Sequence, residues 1–371
     1  MRYRVLIVVG ARPNFMKAAP VMAEFKKHAS IKPMLIHTGQ HYDQNLSEIF
    51  FGDLKLTKPD FYLGIGSGTH STQTAQIMMA FEKILTEQNP HLVVVVGDVN
   101  STIACALAAA KYRCTNRRCR PFIAHIEAGL RSFDWRMPEE INRRLTDSLS
   151  DLLFTTEPAA RENLLNEGIA QNKICFVGNV MIDSLLRFRK IAQKSRILTQ
   201  LGLQKDNYCL LTMHRPSNVD KKDNLKEILG ALQELSKSIK IVFPIHPRTK
   251  KMFGQHQLNF NFLKIVQPLG YLDFLKLMIN AKFVITDSGG IQEETTVLNI
   301  PCLTIRTNTE RPITVAQGTN TIVGNDRKRI MAEAKKILKG KSKTGQRPKL
   351  WDGKAAKRIC KIIYDYLQTH Y

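Results

Sequence analysis

At 371 residues the chain has room for two α/β domains. Hydrophobic residues make up 43% and charged residues 23%, a globular balance that excludes a disordered chain, a collagen-like fibre and a disulfide-stapled miniprotein. The formal charge of +23 leaves three partner classes to weigh: nucleic acid, an anionic membrane surface and an anionic small substrate.

In chain order, Met1–Arg4 leads into Val5–Val9, a run too short for a secretory leader, which reads as a first buried strand. Further strand candidates are Met34–Thr38, Leu92–Val96, Phe122–Ile126, Leu152–Thr155 and Ile174–Val177. After a break come Tyr208–Thr212, Ile241–Pro244, Phe283–Thr286 and Cys302–Ile305. Amphipathic stretches such as Lys17–Lys27, Ser71–Thr86, Ser101–Lys111 and Glu139–Leu149 fall between them. Strands that are continuously apolar belong to a parallel sheet covered on both faces. The βαβα alternation therefore predicts an α/β fold of two Rossmann-like, doubly wound domains facing a cleft. The expected division is 1–178 for the first domain and 179–353 for the second. The segment 354–371 is expected to form a closing helix that crosses back onto the first.

Fourteen Lys or Arg stand against Glu333 and Asp352 between Arg327 and Lys361, and a second basic cluster spans Lys111–Arg120. Without a nucleic-acid-reading motif these read as solvated basic faces, and no nucleic-acid partner is expected. No apolar run approaches the ~20 residues that span a bilayer, so neither membrane insertion nor a location outside the cytoplasm is expected. The seven cysteines (Cys105, Cys114, Cys119, Cys175, Cys209, Cys302 and Cys360) form no Cys-x-x-Cys pair. Reduced thiols and no zinc follow as expectations.

Ligands of open α/β sheets bind beyond the carboxyl ends of the strands. The segments in that position are Gly10-Ala11-Arg12-Pro13, Gly39-Gln40-His41, Gly97-Asp98-Val99-Asn100, Glu127–Arg131, His214-Arg215, His246-Pro247-Arg248 and Asp287-Ser288-Gly289-Gly290. Seven polar, titratable segments on one kind of edge predict a ligand site. Ser288 can cap the helix it opens, with Gly289 and Gly290 admitting a diphosphate to the backbone N–H groups and Glu294 within reach of ribose hydroxyls. Arg12 and Lys17 add positive charge without a G-x-G-x-x-G or a P-loop pattern, which argues against a nicotinamide cofactor. Asp98, Glu127 and Glu139 are the candidate proton-transfer acids. Asp98 could equally cap the Ser101 helix, and Glu139 sits where any helix favours an acid. His214, followed by Arg215, fits a group that neutralises a departing phosphate.

Nine segments (GARPNFMKAAP, HTGQHYD, VVGDVNST, HIEAGLRSFDWRMPEEINR, LFTTEP, VGNVMIDSL, TMHRPSN, TDSGGIQEE and TERPITVAQGT) resemble, in order and spacing, the non-hydrolysing UDP-N-acetylglucosamine 2-epimerases. The resemblance implies a B-type glycosyltransferase-like fold, usually homodimeric, that inverts C2 of a UDP-sugar through 2-acetamidoglucal without metal or other cofactor. It implies proton transfer by Asp98, Glu127 and Glu139, stabilisation of the UDP leaving group by His214, and a role in activity for Lys17. Arg12, Ser288, Gly289, Gly290 and Glu294 match nucleotide-binding positions, and Arg143 and Arg311 match basic positions near sugar and phosphates. Phe274 matches the residue that packs on uracil, although sequence alone would place it in the core. The chain carries Gln40-His41-Tyr42-Asp43-Gln44 where many bacterial relatives read Gln-His-Arg-Glu-Met at an activating UDP-GlcNAc site. The form found here also occurs in relatives acting on UDP-2,3-diacetamido-glucuronate, which makes that sugar the rival substrate. A hydrolysing epimerase and a UDP-sugar glycosyltransferase are the two rival activities.

Overall fold

The computed structural model describes residues 2–40, 58–114, 120–245, 247–256 and 258–371, with backbone alone at Arg12, Pro247 and Arg248. The chain forms two units. Unit 1 is Met1–Ser184 with Lys349–Tyr371, and unit 2 is Leu185–Pro348. The sequence pattern places the corresponding boundaries at 178/179 and 353/354.

Unit 1 is built on seven parallel strands: β1 (Tyr3–Val9), β2 (Ile31–His37), β3 (Phe61–Tyr62), β4 (Leu92–Val96), β5 (Phe122–Ala128), β6 (Leu152–Thr155) and β7 (Ile174–Phe176). Their order is β3-β2-β1-β4-β5-β6-β7. The order reverses between β1 and β4, the switch point at which doubly wound sheets hold ligands. Leu6, Val8, Ile36, Phe81, Val93 and Val95 belong to the core of this unit, each worth ~1.5–3 kcal/mol of burial.

Unit 2 repeats the plan with β8 (Tyr208–Thr212), β9 (Lys240–Pro244), β10 (Lys264–Val266), β11 (Phe283–Thr286), β12 (Cys302–Thr304) and β13 (Asn320–Ile322). The order is β10-β9-β8-β11-β12-β13. Leu211, Leu232, Phe243, Phe283, Ile285 and Ile330 pack its core. Both sheets are parallel throughout, as the unbroken apolar strands predict.

Three strands are not legible in the sequence. β3, β10 and β13 are two or three residues long and stand at the edges of their sheets, where no long apolar run marks them. The first helix spans Arg12–Phe25 and starts before the predicted Lys17. Pro13 lies in its first turn, where the missing N–H is harmless, but Pro20 is interior. Pro20 cannot donate to the Met16 carbonyl, and the Ser184 hydroxyl donates to that carbonyl instead.

After unit 2 the chain returns to unit 1. Gly178 has φ +84, and a Cβ there would lie 2.1 Å from the Leu350 carbonyl oxygen, so no larger residue fits this crossing. Trp351 is fully buried and its indole N–H donates to the Thr156 carbonyl at 2.9 Å. The last helix, Ala355–His370, is capped by Asp183, which accepts from the N–H groups of Ala355 (3.1 Å) and Ala356 (2.8 Å). Burial lifts the Asp183 carboxyl to about 6 even though those two donors favour its charged form. Among the described residues no helix is long and apolar enough to cross a membrane.

Candidate active site

In unit 1 the candidate site begins at the switch point. Asn14 Oδ1 accepts from the N–H groups of Gly10 (3.1 Å) and Ala11 (3.0 Å), and its Nδ2 donates to the Val96 carbonyl (3.0 Å). The Gly10–Asn14 turn is thereby tied to the end of β4. Gly97 then turns the chain with φ +69, and a Cβ there would press on Asn14 Nδ2 at 3.3 Å and Lys17 Nζ at 3.5 Å. Asp98 follows. Arg143 Nη1 donates to its Oδ2 at 2.5 Å, and Asn142 Nδ2 to its carbonyl at 2.9 Å. Asp98 therefore does not cap the next helix. Val99 occupies the cap position of Asn100–Lys111, and Asp98 is turned toward the helix Pro138–Leu149.

Glu127 stands on the neighbouring strand, 3% exposed, and pairs with buried Lys17. Its φ is +73, and the β5–β6 register shifts between Ile126 and Ala128. A non-glycine residue in this region costs on the order of 1–3 kcal/mol and persists only where its surroundings over-determine it. Glu139 is half-buried in the first turn of Pro138–Leu149. Its neighbour Glu140 is fully buried and accepts from Ser132 N (2.8 Å), Ser132 Oγ (2.8 Å) and Arg143 Nη2 (2.7 Å). Burial works to raise the Glu140 carboxyl, but Arg143 and Ser132 hold it below the usual carboxylate range. Arg143, read from the sequence as a basic group near sugar and phosphates, is 1% exposed and bridges Asp98 to Glu140.

Unit 2 has its own switch point between β8 and β11. Asp287, fully buried after β11, accepts at Oδ2 from the N–H groups of His214 (2.9 Å) and Arg215 (2.8 Å) and from Asn218 Nδ2 (3.1 Å). His214 Nδ1 lies 3.1 Å from Oδ1, and its ring is half-exposed. Burial pushes Asp287 up, yet His214 and these donors hold it down at about 2. With Nδ1 committed to Asp287, Nε2 is the nitrogen that can meet a leaving oxygen.

Ser288 occupies the cap position of the helix Gly289–Leu298, but its hydroxyl makes no capping bond. The expectation of a side-chain cap is therefore corrected, and the first N–H groups of this helix lack that internal acceptor. Gly289 is required for a reason the sequence did not show. A Cβ there would lie 2.3 Å from Arg311 Nη1 and 2.8 Å from Glu310 Oε1. Arg311, 5% exposed, donates from Nε to Glu293 (2.7 Å) and from Nη1 to Glu310 (2.5 Å). Glu294 is 3% exposed and accepts from Tyr271 Oη at 2.8 Å. Burial and neighbouring Glu293 push its carboxyl up to about 7 against that hydrogen bond. Phe274, which sequence alone placed in the core, is only half-buried in the first turn of Tyr271–Asn280.

Arg12 begins the first helix and is described by backbone alone, while Gly290 lies in the first turn of Gly289–Leu298. His41–Gln44, His246 and 115–119 of the basic insert lie outside the described residues. Sequence reasoning missed Glu140, Asn14, Tyr271 and the Asp287–His214 pairing. Only the pairing left a signal, since both residues follow predicted strands.

The UDP-N-acetylglucosamine 2-epimerase family profile matches residues 23–364. A UDP-N-acetylglucosamine 2-epimerase of Methanocaldococcus jannaschii is 42% identical over 97% of this chain and 98% of its own length. A UDP-2,3-diacetamido-2,3-dideoxy-D-glucuronate 2-epimerase of Pseudomonas aeruginosa is 40% identical over 97% of this chain and 99% of its own. The crystal structure of Methanocaldococcus jannaschii UDP-GlcNAc 2-epimerase in complex with UDP-GlcNAc and UDP superposes with a TM-score of 0.90 at 42% identity, covering 98% of this chain and 99% of that one.

Proposed function

The chain belongs to the UDP-N-acetylglucosamine 2-epimerase family, and on that premise we propose that it interconverts UDP-GlcNAc and UDP-ManNAc through 2-acetamidoglucal. The observation that carries the mechanism is the carboxylate arrangement of unit 1. Glu127, strained and paired with Lys17, stands on the strand beside the turn that carries Asp98, itself gripped by Arg143.

In the forward half-reaction a carboxylate of this set takes the C2 proton. The C2–H electron pair forms the C1=C2 bond, and the C1–O bond to the β-phosphate breaks, with UDP leaving with that pair. His214 meets the charge on the leaving oxygen, and the N-terminal end of Gly289–Leu298 cradles the diphosphate. Re-addition reverses these bonds after a second acid protonates C2 from the opposite face, with Glu139 as the third carboxyl of the set. Glu294 accepts from the ribose and Phe274 packs on uracil. Arg143 and Arg311 serve as buried braces of the acids and of the helix start, while Arg12 is assigned to nucleotide binding by its match to the family motif.

The test is incubation with UDP-GlcNAc in D2O, followed by proton NMR. UDP-ManNAc carrying deuterium at C2, formed without any acceptor, is the expected result, and Asp98→Asn abolishes it while keeping UDP affinity. Free ManNAc with UDP would replace this reading by the hydrolysing reaction, and an acceptor requirement would replace it by glycosyl transfer. A second substrate, UDP-2,3-diacetamido-glucuronate, is favoured by the Pseudomonas aeruginosa relative. Turnover of that sugar alone would establish it.

The proposal includes a cytoplasmic homodimer. The buried free thiols Cys105, Cys209 and Cys302 suit a reducing compartment. Ile141 and Leu145, one turn apart on Pro138–Leu149, are exposed, as are Phe133 and Trp135, and Arg144 is stacked 4.7 Å over the Trp135 ring. An apolar face of this kind suits a second copy of the chain. Sedimentation of a monomer at micromolar concentration would reject the dimer.

A further inference from the structure

Behind the two acids of unit 1 lies a buried charge cluster that the chemistry above does not use. His125 on β5 is fully buried, with Nδ1 2.7 Å from Asp147 Oδ1 and Nε2 2.7 Å from the Gly97 carbonyl oxygen. Asp147, from the helix that also grips Asp98, turns its Oδ2 to the Gly129 N–H (3.1 Å) and to Arg131 Nη2 (2.7 Å). Arg131 in turn donates to Glu167 from Nε (2.9 Å) and Nη2 (2.6 Å), and Glu167 meets Arg144 at 2.8 Å. The Gly97 N–H donates to the Ile126 carbonyl at 3.0 Å.

One carboxylate therefore spans residues 125 and 129, the two flanks of the Glu127 distortion. One imidazole runs from that carboxylate to Gly97, the residue before Asp98. Neither acceptor of the ring carries a hydrogen. Gly97 offers a carbonyl. Burial works to raise the Asp147 carboxyl, but His125 and Arg131 hold it below the ordinary range. Each ring nitrogen thus faces an oxygen atom, Asp147 Oδ1 on one side and the Gly97 carbonyl on the other.

We propose that His125 and Asp147 are a positioning pair for the epimerisation, holding Glu127 in its left-handed, register-shifted conformation and the Gly97 turn, with Asp98, against β5. A strained residue keeps its conformation only while its flanks are fixed. Freed of the brace, the segment relaxes toward a regular ladder, in which a one-residue register change sends a side chain to the opposite face of the sheet. The inference rests on reading Glu127 and Asp98 as proton-transfer acids.

The test uses the full-length enzyme with His125→Asn, which keeps an amide near the Nδ1 position, His125→Gln, which keeps one near Nε2, and Asp147→Asn. Each keeps part of the brace. The expected result is a kcat lower by roughly 10- to 100-fold, as displacement of reacting groups by about an ångström produces. KM and the calorimetric affinity for UDP, which counts folded sites, stay near wild type. Glu167→Gln, which loosens the same cluster without touching His125 or the Gly97 carbonyl, keeps kcat even where it lowers the melting temperature. A kcat within about twofold of wild type in all three variants overturns the pairing. So does an equal kcat loss in Glu167→Gln, or a change confined to KM. Glu127→Gln with full turnover would instead overturn the underlying assignment of the acids. An inactive Glu127→Gln beside wild-type-like His125 and Asp147 variants would overturn the brace alone.

Discussion

Glu294→Gln tests the physical reading of the nucleotide half-site most directly. Glu294 is buried on the helix Gly289–Leu298, and its carboxyl is lifted from an ordinary 4.5 to about 7, burial being the main cause. The native state therefore holds a proton that the unfolded chain releases above 4.5. The stability this group contributes is complete below 4.5 and is lost as pH rises through 7. At 1.36 kcal/mol per pH unit the full loss is about 3 kcal/mol. Glutamine keeps an oxygen for the Tyr271 hydroxyl and carries no charge, so the variant lacks this decline. Both tryptophans, Trp135 and Trp351, belong to unit 1, so intrinsic fluorescence reports the wrong unit. Native-state hydrogen exchange of the β11 amides, corrected for intrinsic rates between pH 5 and 8.5, reports the right one. The variant should gain on wild type across that range by about 2.5 kcal/mol, the part of the loss that falls above pH 5, and parallel profiles would refute the buried, raised carboxyl. Above pH 7, where the Glu294 carboxyl is ionised, the same substitution should weaken UDP binding, because the amide accepts more weakly from ribose than a carboxylate does.

Three further outcomes are expected. His214→Asn should lower kcat by ~10²–10³. It should also raise the Asp287 carboxyl from about 2 toward 3.8. The ~2 kcal/mol that wild type keeps above pH 3.8 and loses as pH falls through 2 would then be reduced, and acid unfolding of unit 2 measures it. Gly129→Ala places a methyl 2.3 Å from the Ala160 carbonyl oxygen at φ +79. A loss of at least about 1–3 kcal/mol is expected in denaturant melts, and an unchanged midpoint would contradict the fixed geometry there. Asp183→Ala removes the acceptor of two helix N–H groups and should cost about 1–2 kcal/mol, visible as faster exchange along Ala355–His370. Unaltered exchange of that helix would show that the cap does not hold it.

The regular part of the fold was legible because it rests on composition along the chain. Leu92–Val96 and Phe283–Ile285 are unbroken apolar runs, and a parallel sheet covered on both faces buries such runs completely. The same pattern located the polar segments after each strand, and with them Asp98, Glu127, His214 and Asp287. What hid from it was short or non-local. β13 is Asn320–Ile322 with no apolar run, and the start of the first helix is masked by Pro13, while Pro20 inside it is tolerated because Ser184, distant in sequence, supplies the missing donor.

The chain by itself determined which residue types stand at the strand ends. Tertiary structure decided what each one does there. Lys17 meets Glu127, Arg143 turns Asp98 away from a cap, and Arg311 fills the space that makes Gly289 necessary. The division has a physical cause. Burial of an apolar run depends on neighbours in sequence and so can be read along the chain. The state of a carboxylate depends on whichever charge, donor or desolvating wall comes within a few ångströms, and folding alone brings those together from residues far apart.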